Sequence, residues 1–135
     1  VFLLDASVWV ASGAQADPYH SASLAMTRER WGSLAALDLT LYEVANTVGL
    51  KFGQPRDARA LTRAIVACCA GDRLVRVDAD LVDGAIEVAR EHRISAYDAT
   101  YVAAARRHGW TLVSADIRDL VSKGLAVAPD AADYP

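Results

Sequence analysis

The chain has 135 residues, of which 53% are hydrophobic, and a formal net charge of −3. That length suits one compact domain with a full core and is too short for two, so residues 1–135 are read as a single domain. The hydrophobic fraction excludes disorder, and the acidic balance argues against a protein that coats nucleic acid. No stretch approaches the roughly 18 uncharged apolar residues of a membrane span.

The predicted elements alternate along the chain. Val1–Leu4 is a short apolar run without a period, as expected of a parallel strand covered on both faces. Ala6–Ser12 reads as a first helical segment and Gly13–Asp17 as a loop. Pro18 fits the first turn of a helix running to about Trp31. Ser33–Leu37 is a weak second strand. Thr40–Phe52 is a helix, with Leu41, Val44, Ala45, Val48 and Phe52 as one apolar stripe. Gly53 and Pro55 separate it from a helix over Arg56–Ala70. Leu74–Val77 is a third strand, and Asp78 caps a helix over Ala79–His92 that turns Leu81, Val82, Ala85, Val88 and Ala89 inward. Ser95–His108 is a further helix, stopped by Gly109. Trp110–Ser114 is the fourth strand, Ile117–Ser122 a short helix, Leu125–Ala128 a weak fifth strand and Pro129–Pro135 a tail. Strands alternating with helices predict a three-layer α/β/α fold with a mostly parallel sheet of four to five strands.

Several residue types carry little chemistry. Cys68 and Cys69 are adjacent, which rarely satisfies disulfide geometry, and they read as small buried residues. His20, His92 and His108 are scattered, with no zinc spacing among them. Arg makes up twelve of the fourteen basic residues. Arg106, Arg107 and Arg118 are candidate phosphate contacts, although solubility alone also explains each. Trp9, Trp31 and Tyr42 are candidate groove or interface aromatics for which core packing is the simpler expectation. No basic segment precedes the first apolar run, so no signal peptide is expected and the cytoplasm is the expected location.

Four acids stand at element junctions: Asp5, Glu43, Asp98 and Asp116. In an open α/β sheet such positions gather at the carboxyl edge of the strands, where ligands bind. Each acid also has a local explanation. Thr40-Leu41-Tyr42-Glu43 and Ser95-Ala96-Tyr97-Asp98 fit capping boxes, and Asp5 and Asp116 fit helix N-caps. Caps need not converge on one point, however, and a carboxylate directly after a buried strand is costly unless it is paired. Gathered carboxylates repel one another without a cation, and a hard divalent ion takes oxygen ligands and bridges carboxylates to phosphate. The pattern therefore predicts metal-dependent phosphoryl chemistry. A P-loop, a dinucleotide fingerprint and a Gly-x-Ser-x-Gly elbow are absent from the sequence.

Taken in order, Leu4-Asp5-Ala6-Ser7, Leu39-Thr40-Leu41-Tyr42-Glu43-Val44-Ala45-Asn46, Ile94-Ser95-Ala96-Tyr97-Asp98-Ala99 and Leu112-Val113-Ser114-Ala115-Asp116 resemble the four motifs of PIN-domain ribonucleases. Order, spacing and length are most similar to the VapC toxins of bacterial toxin–antitoxin pairs, with Pro18–Ser33 the least similar region. Ser114 stands where that family often has Thr. The resemblance implies that Asp5, Glu43, Asp98 and Asp116 bind one or two Mg²⁺ or Mn²⁺ ions, with Asp119 a further candidate. Ser7 and Ser114 are candidates to hydrogen-bond these carboxylates and fix their rotamers, with helix capping the alternative, and Asn46, one turn beyond Glu43, is a candidate to reach the site or the substrate. The resemblance implies hydrolysis of structured RNA, such as transfer RNA, to a 5′-phosphate and a 3′-hydroxyl. It also implies a homodimer held inactive by an antitoxin. Two rival readings are a non-catalytic PIN-like binding module and an RNA-processing nuclease without an antitoxin.

Overall fold

Every strand is short and apolar on both faces because helices cover both sides of the sheet. In the computed structural model, which describes residues 1–132, β1 (Phe2–Leu4), β2 (Leu34–Leu37), β3 (Leu74–Val75) and β4 (Thr111–Val113) form this sheet. All pairings are parallel and the strand order is β3-β2-β1-β4. Successive side chains of a strand point to opposite faces, and this divides the core. Leu4, Leu34, Ala36 and Val113 pack with Val8, Trp9, Met26, Val44 and Ile65. Leu3, Ala35, Leu37 and Leu112 pack on the other side with Leu81, Val88, Tyr101 and Val102.

The first layer holds α1 (Ala6–Gly13), α2 (His20–Glu29), α3 (Asp38–Val44) and α4 (Pro55–Cys68). The second holds α5 (Ala79–His92) and α6 (Ala96–His108). The expected three-layer α/β/α arrangement is present. β1, β2 and β3 step outward in one direction, whereas β4 returns to the opposite side of β1. The topological switch point thus lies between β1 and β4, and crevices at such points receive ligands at the carboxyl ends of the strands.

Several local expectations are corrected. The helix expected from Thr40 begins at Asp38, and α3 continues as a π-helix over Ala45–Lys51. The wider turn breaks the predicted stripe: Val44 and Val48 are buried, but Ala45 and Phe52 are exposed. Gly49 allows this segment to approach α4, since a Cβ there would lie 3.2 Å from the Ala58 Cβ. The Thr40–Glu43 capping box does not form. Thr40 is the third residue of the helix, and its Oγ1 accepts the Leu37 N–H at 3.1 Å. Val82 faces solvent on α5 while Leu81, Ala85 and Val88 are buried. Trp9 is core, but Trp31 and Tyr42 are exposed, Tyr42 to 76%.

The third strand stops at Val75. Leu125–Ala128 supplies one isolated bridge, Val113 to Val127, rather than a fifth strand. The predicted tail is partly core, because Pro129 and Ala132 are buried. Residues 133–135 of that tail lie outside the described residues. Cys68 and Cys69 are free and buried, as expected. No helix among the described residues is long and apolar enough to cross a membrane.

Candidate active site

Asp5 follows β1 directly and caps α1, with its Oδ1 accepting the Val8 N–H at 3.4 Å. It is 5% exposed, and burial at a strand end requires partners for both carboxylate oxygens. Ser7 Oγ donates to Oδ1 in a very short bond, and Ser114 Oγ donates to Oδ2 at 2.5 Å. Burial pushes the Asp5 carboxyl up to about 6. The hydroxyls of Ser114 and Ser7 and the Val8 N–H oppose that rise, and the charge of Asp98 adds to it.

The chain after β4 continues this network. Ser114 Oγ accepts the Asp116 N–H at 2.9 Å, and Ser7 Oγ accepts the Ala115 N–H at 2.9 Å. Asp116 then caps a π-helical turn over Ile117–Val121, its Oδ1 accepting the Asp119 N–H at 3.0 Å. The capping reading is therefore correct for Asp5 and Asp116, and both caps lie at the switch point. Capping and gathering are compatible, because a helix N-terminus favours a carboxylate.

Asp98 sits in the first turn of α6, where its N–H donates to the Ser95 Oγ at 3.1 Å. That turn brings Asp98 to Asp116 and Asp119, and the three offer carboxylate oxygens all within 4.8 Å of one another. Burial raises the Asp98 carboxyl above its ordinary range, and the charges of Asp116 and Asp119 raise it further against the Ser95 hydroxyl. Asp119 also meets Arg118 Nε at 3.3 Å. The donor set consists wholly of oxygen, which suits a hard divalent cation and not a soft one.

Glu43 approaches from α3. With Ser7, Asp17, Tyr19, Thr47 and Asp116 it lines a groove of about 470 Å³. Burial raises its carboxyl, opposed by a hydrogen bond from Tyr101 and assisted by the charge of Asp98. Tyr101 Oη donates to Glu43 Oε1 at 2.7 Å and lies 2.9 Å from Thr40 Oγ1. Burial first, and then the charges of Glu43 and Asp5, hold the Tyr101 phenol well above its ordinary range, so it remains a donor. Sequence reasoning missed Tyr101. Its signal was its position three residues after Asp98 on one helix, which puts both on one face.

All four predicted acids thus stand near one another at the carboxyl edge, joined by Asp119 and by Ser7 and Ser114. Asn46 does not join them. It is exposed, and the π-helix brings Thr47 rather than Asn46 to the groove. Arg107 pairs with Asp78 at 3.2 Å, while Arg106 is exposed.

A family model for the PIN domain matches residues 2–122. No curated protein matches the chain in sequence. Among solved structures, the chain is similar to one from a toxin–antitoxin complex from Klebsiella pneumoniae. The TM-score is 0.69 at 17% identity, covering 96% of this chain and 98% of that one. It is similar to a protein from Pyrobaculum aerophilum, with a TM-score of 0.65 at 26% identity, covering 96% and 90%. It is also similar to VapC20 of Mycobacterium tuberculosis, described as a sarcin–ricin loop cleaving toxin. There the TM-score is 0.67 at 24% identity, covering 84% and 87%. With a family match over most of its length and acids gathered at the β1–β4 edge, the chain belongs to the PIN domain family.

Proposed function

We propose that this protein is a divalent-cation-dependent endoribonuclease acting as the toxin of a toxin–antitoxin pair. The observation that carries the reading is the convergence of Asp98, Asp116 and Asp119 on one point, beside Asp5 at the switch point of the sheet. Like charges at that spacing repel strongly in a partly buried site, and a shared cation removes the repulsion. Mg²⁺ fits an all-carboxylate donor set, as does Mn²⁺.

Such a cation, when bound, lowers the pKa of water and offsets charge building on phosphate. The chain's own residues do the rest. Asp98, Asp116 and Asp119 offer oxygens, and Ser7 and Ser114 hold Asp5 in one rotamer behind them. Glu43, at the groove wall, would give an oxygen to the cation or orient the attacking water. Tyr19 and Thr47 line the same groove, where the phosphodiester enters. Attack by water with the 3′ oxygen as leaving group gives a 5′-phosphate and a 3′-hydroxyl, and no cyclic phosphate because the ribose 2′-hydroxyl takes no part.

Membership of the PIN domain family supports a nuclease. The described activity of the Mycobacterium tuberculosis structure supports RNA as substrate. Few aromatic residues are available to stack single-stranded bases, which favours structured RNA such as transfer RNA. An antitoxin is supported by the toxin–antitoxin complex with the same fold. An apolar groove lined by Val10, Val48, Phe52 and Leu61 adjoins the acidic one at Val10. It suits an amphipathic segment whose Arg or Lys reaches the acids. Exposed Tyr42, Leu50 and Ile86 are surface that a homodimer would bury.

The test is incubation of purified, antitoxin-free protein with total cellular RNA in Mg²⁺ or in EDTA. Discrete fragments in Mg²⁺ alone are expected. Intact RNA in both Mg²⁺ and Mn²⁺ would contradict the reading and favour a binding module.

A further inference from the structure

Tyr101 is 1% exposed, yet its hydroxyl lies on a polar chain that ends at the candidate site. The direction of each bond in the chain follows from the donors present. A carboxylate only accepts, so the Tyr101 O–H donates to Glu43 Oε1 at 2.7 Å. The single Tyr101 proton is thereby committed, so Thr40 Oγ1 donates to Tyr101 Oη at 2.9 Å while it accepts the Leu37 N–H at 3.1 Å. A backbone amide at the end of β2 thereby orients two hydroxyls and a carboxylate in series. All the intermediate groups are buried, where an unpaired donor is costly.

We propose that Tyr101 is a positioning residue: with Thr40 behind it, it occupies Glu43 Oε1 and presents the other oxygen of Glu43 to the groove. This role rests on the nuclease reading above. A neutral donor suits the task. A Lys or Arg in its place would fix the carboxylate equally well but would neutralise the charge a cation needs. Tyr101 also stands one turn after Asp98 on α6, so a single rigid helix sets the placement of Asp98 directly and of Glu43 through a hydrogen bond. Ser7 and Ser114 hold Asp5 in the same way, with hydroxyls and no cation.

The experiment compares Tyr101→Phe, Thr40→Val and Thr40→Ser with the parent. Mn²⁺ affinity is read by calorimetry, kcat and KM with the cleaved RNA, and folding by thermal unfolding. Tyr101→Phe keeps the ring and loses only the hydroxyl. It is expected to lower Mn²⁺ affinity or kcat on the order of 10–100-fold, with KM for RNA unchanged. Thr40→Val follows it in direction, and Thr40→Ser keeps the parent values. A fall in either quantity in a folded variant supports the role. Parent values of both, even with a lowered Tm, would overturn it. Should Tyr101→Phe not fold, Thr40→Val decides by the same criterion. A parent that neither binds Mn²⁺ nor cleaves RNA would overturn the nuclease reading and this role together.

Discussion

Ser114 Oγ donates to Asp5 Oδ2 across 2.5 Å, joining residues 109 positions apart. Because Ser114 follows β4 and Asp5 follows β1, this bond closes the switch point of the sheet. The same oxygen accepts the Asp116 N–H, so one hydroxyl aligns two acids. Ser114→Ala leaves a buried carboxylate short of one donor and frees the Asp116 amide. We expect a loss of about 1–3 kcal/mol of stability and on the order of 10–100-fold in cleavage, measured by urea unfolding and RNA digestion. Ser114→Thr keeps the hydroxyl and most of the activity.

The pH dependence of the metal-free protein follows from Asp5. Its folded carboxyl is raised from 3.8 to about 6, so the folded state holds a proton that the unfolded chain has released. Stability therefore falls as pH rises from about 4 to about 6. Burial likewise raises Glu43 and Asp98, which act in the same direction. For Asp5 alone the loss is on the order of 2–3 kcal/mol. In EDTA, Asp5→Asn should raise Tm at neutral pH and flatten the pH profile between those limits. An unchanged profile would show that Asp5 is already neutralised by another group.

Asp119 tests whether all three members of the trio hold the cation. If its oxygen joins those of Asp98 and Asp116, Asp119→Asn should abolish most of the Mn²⁺-induced rise in Tm. A ligand at 100 times its Kd stabilises by about 2.7 kcal/mol, which a thermal melt resolves easily. An undiminished rise would leave Asp119 as the partner of Arg118 alone.

Asn46 and Thr47 separate the two possible registers of the segment after Glu43. Asn46→Ala should leave cleavage unchanged and stability within about 0.5 kcal/mol. Thr47→Trp should block the groove and raise KM. The opposite pattern in a cleavage assay would mean that the segment is an ordinary α-helix.

These cases show which parts of the site are legible in sequence. Asp5, Asp98 and Asp116 are, because each follows a strand or opens a helix, and such junctions leave local marks. The three layers are legible for the same reason. Tyr101 is not, because its partners Glu43 and Thr40 come from a helix about 60 positions away and only packing brings them together. The exposure of Ala45 and Phe52 was hidden because nothing local announces the π-helix that changes the period. The weak fifth strand failed for a simpler reason. Val127 makes both its backbone bonds to β4 and its edge, with Leu112 and Ser114, and Pro129 then ends the extended run.

If the gathered acids hydrolyse RNA with a divalent cation, the ends of the fragments carry the mark of that chemistry. Mapping fragment 5′ ends by monophosphate-dependent ligation, for the parent and for an Asp5→Asn, Asp98→Asn double variant, tests it most directly. Discrete sites with 5′-phosphates are expected for the parent in Mg²⁺, and none in EDTA or for the variant. Fragments with 5′-hydroxyls, or identical fragments from the variant, would contradict it.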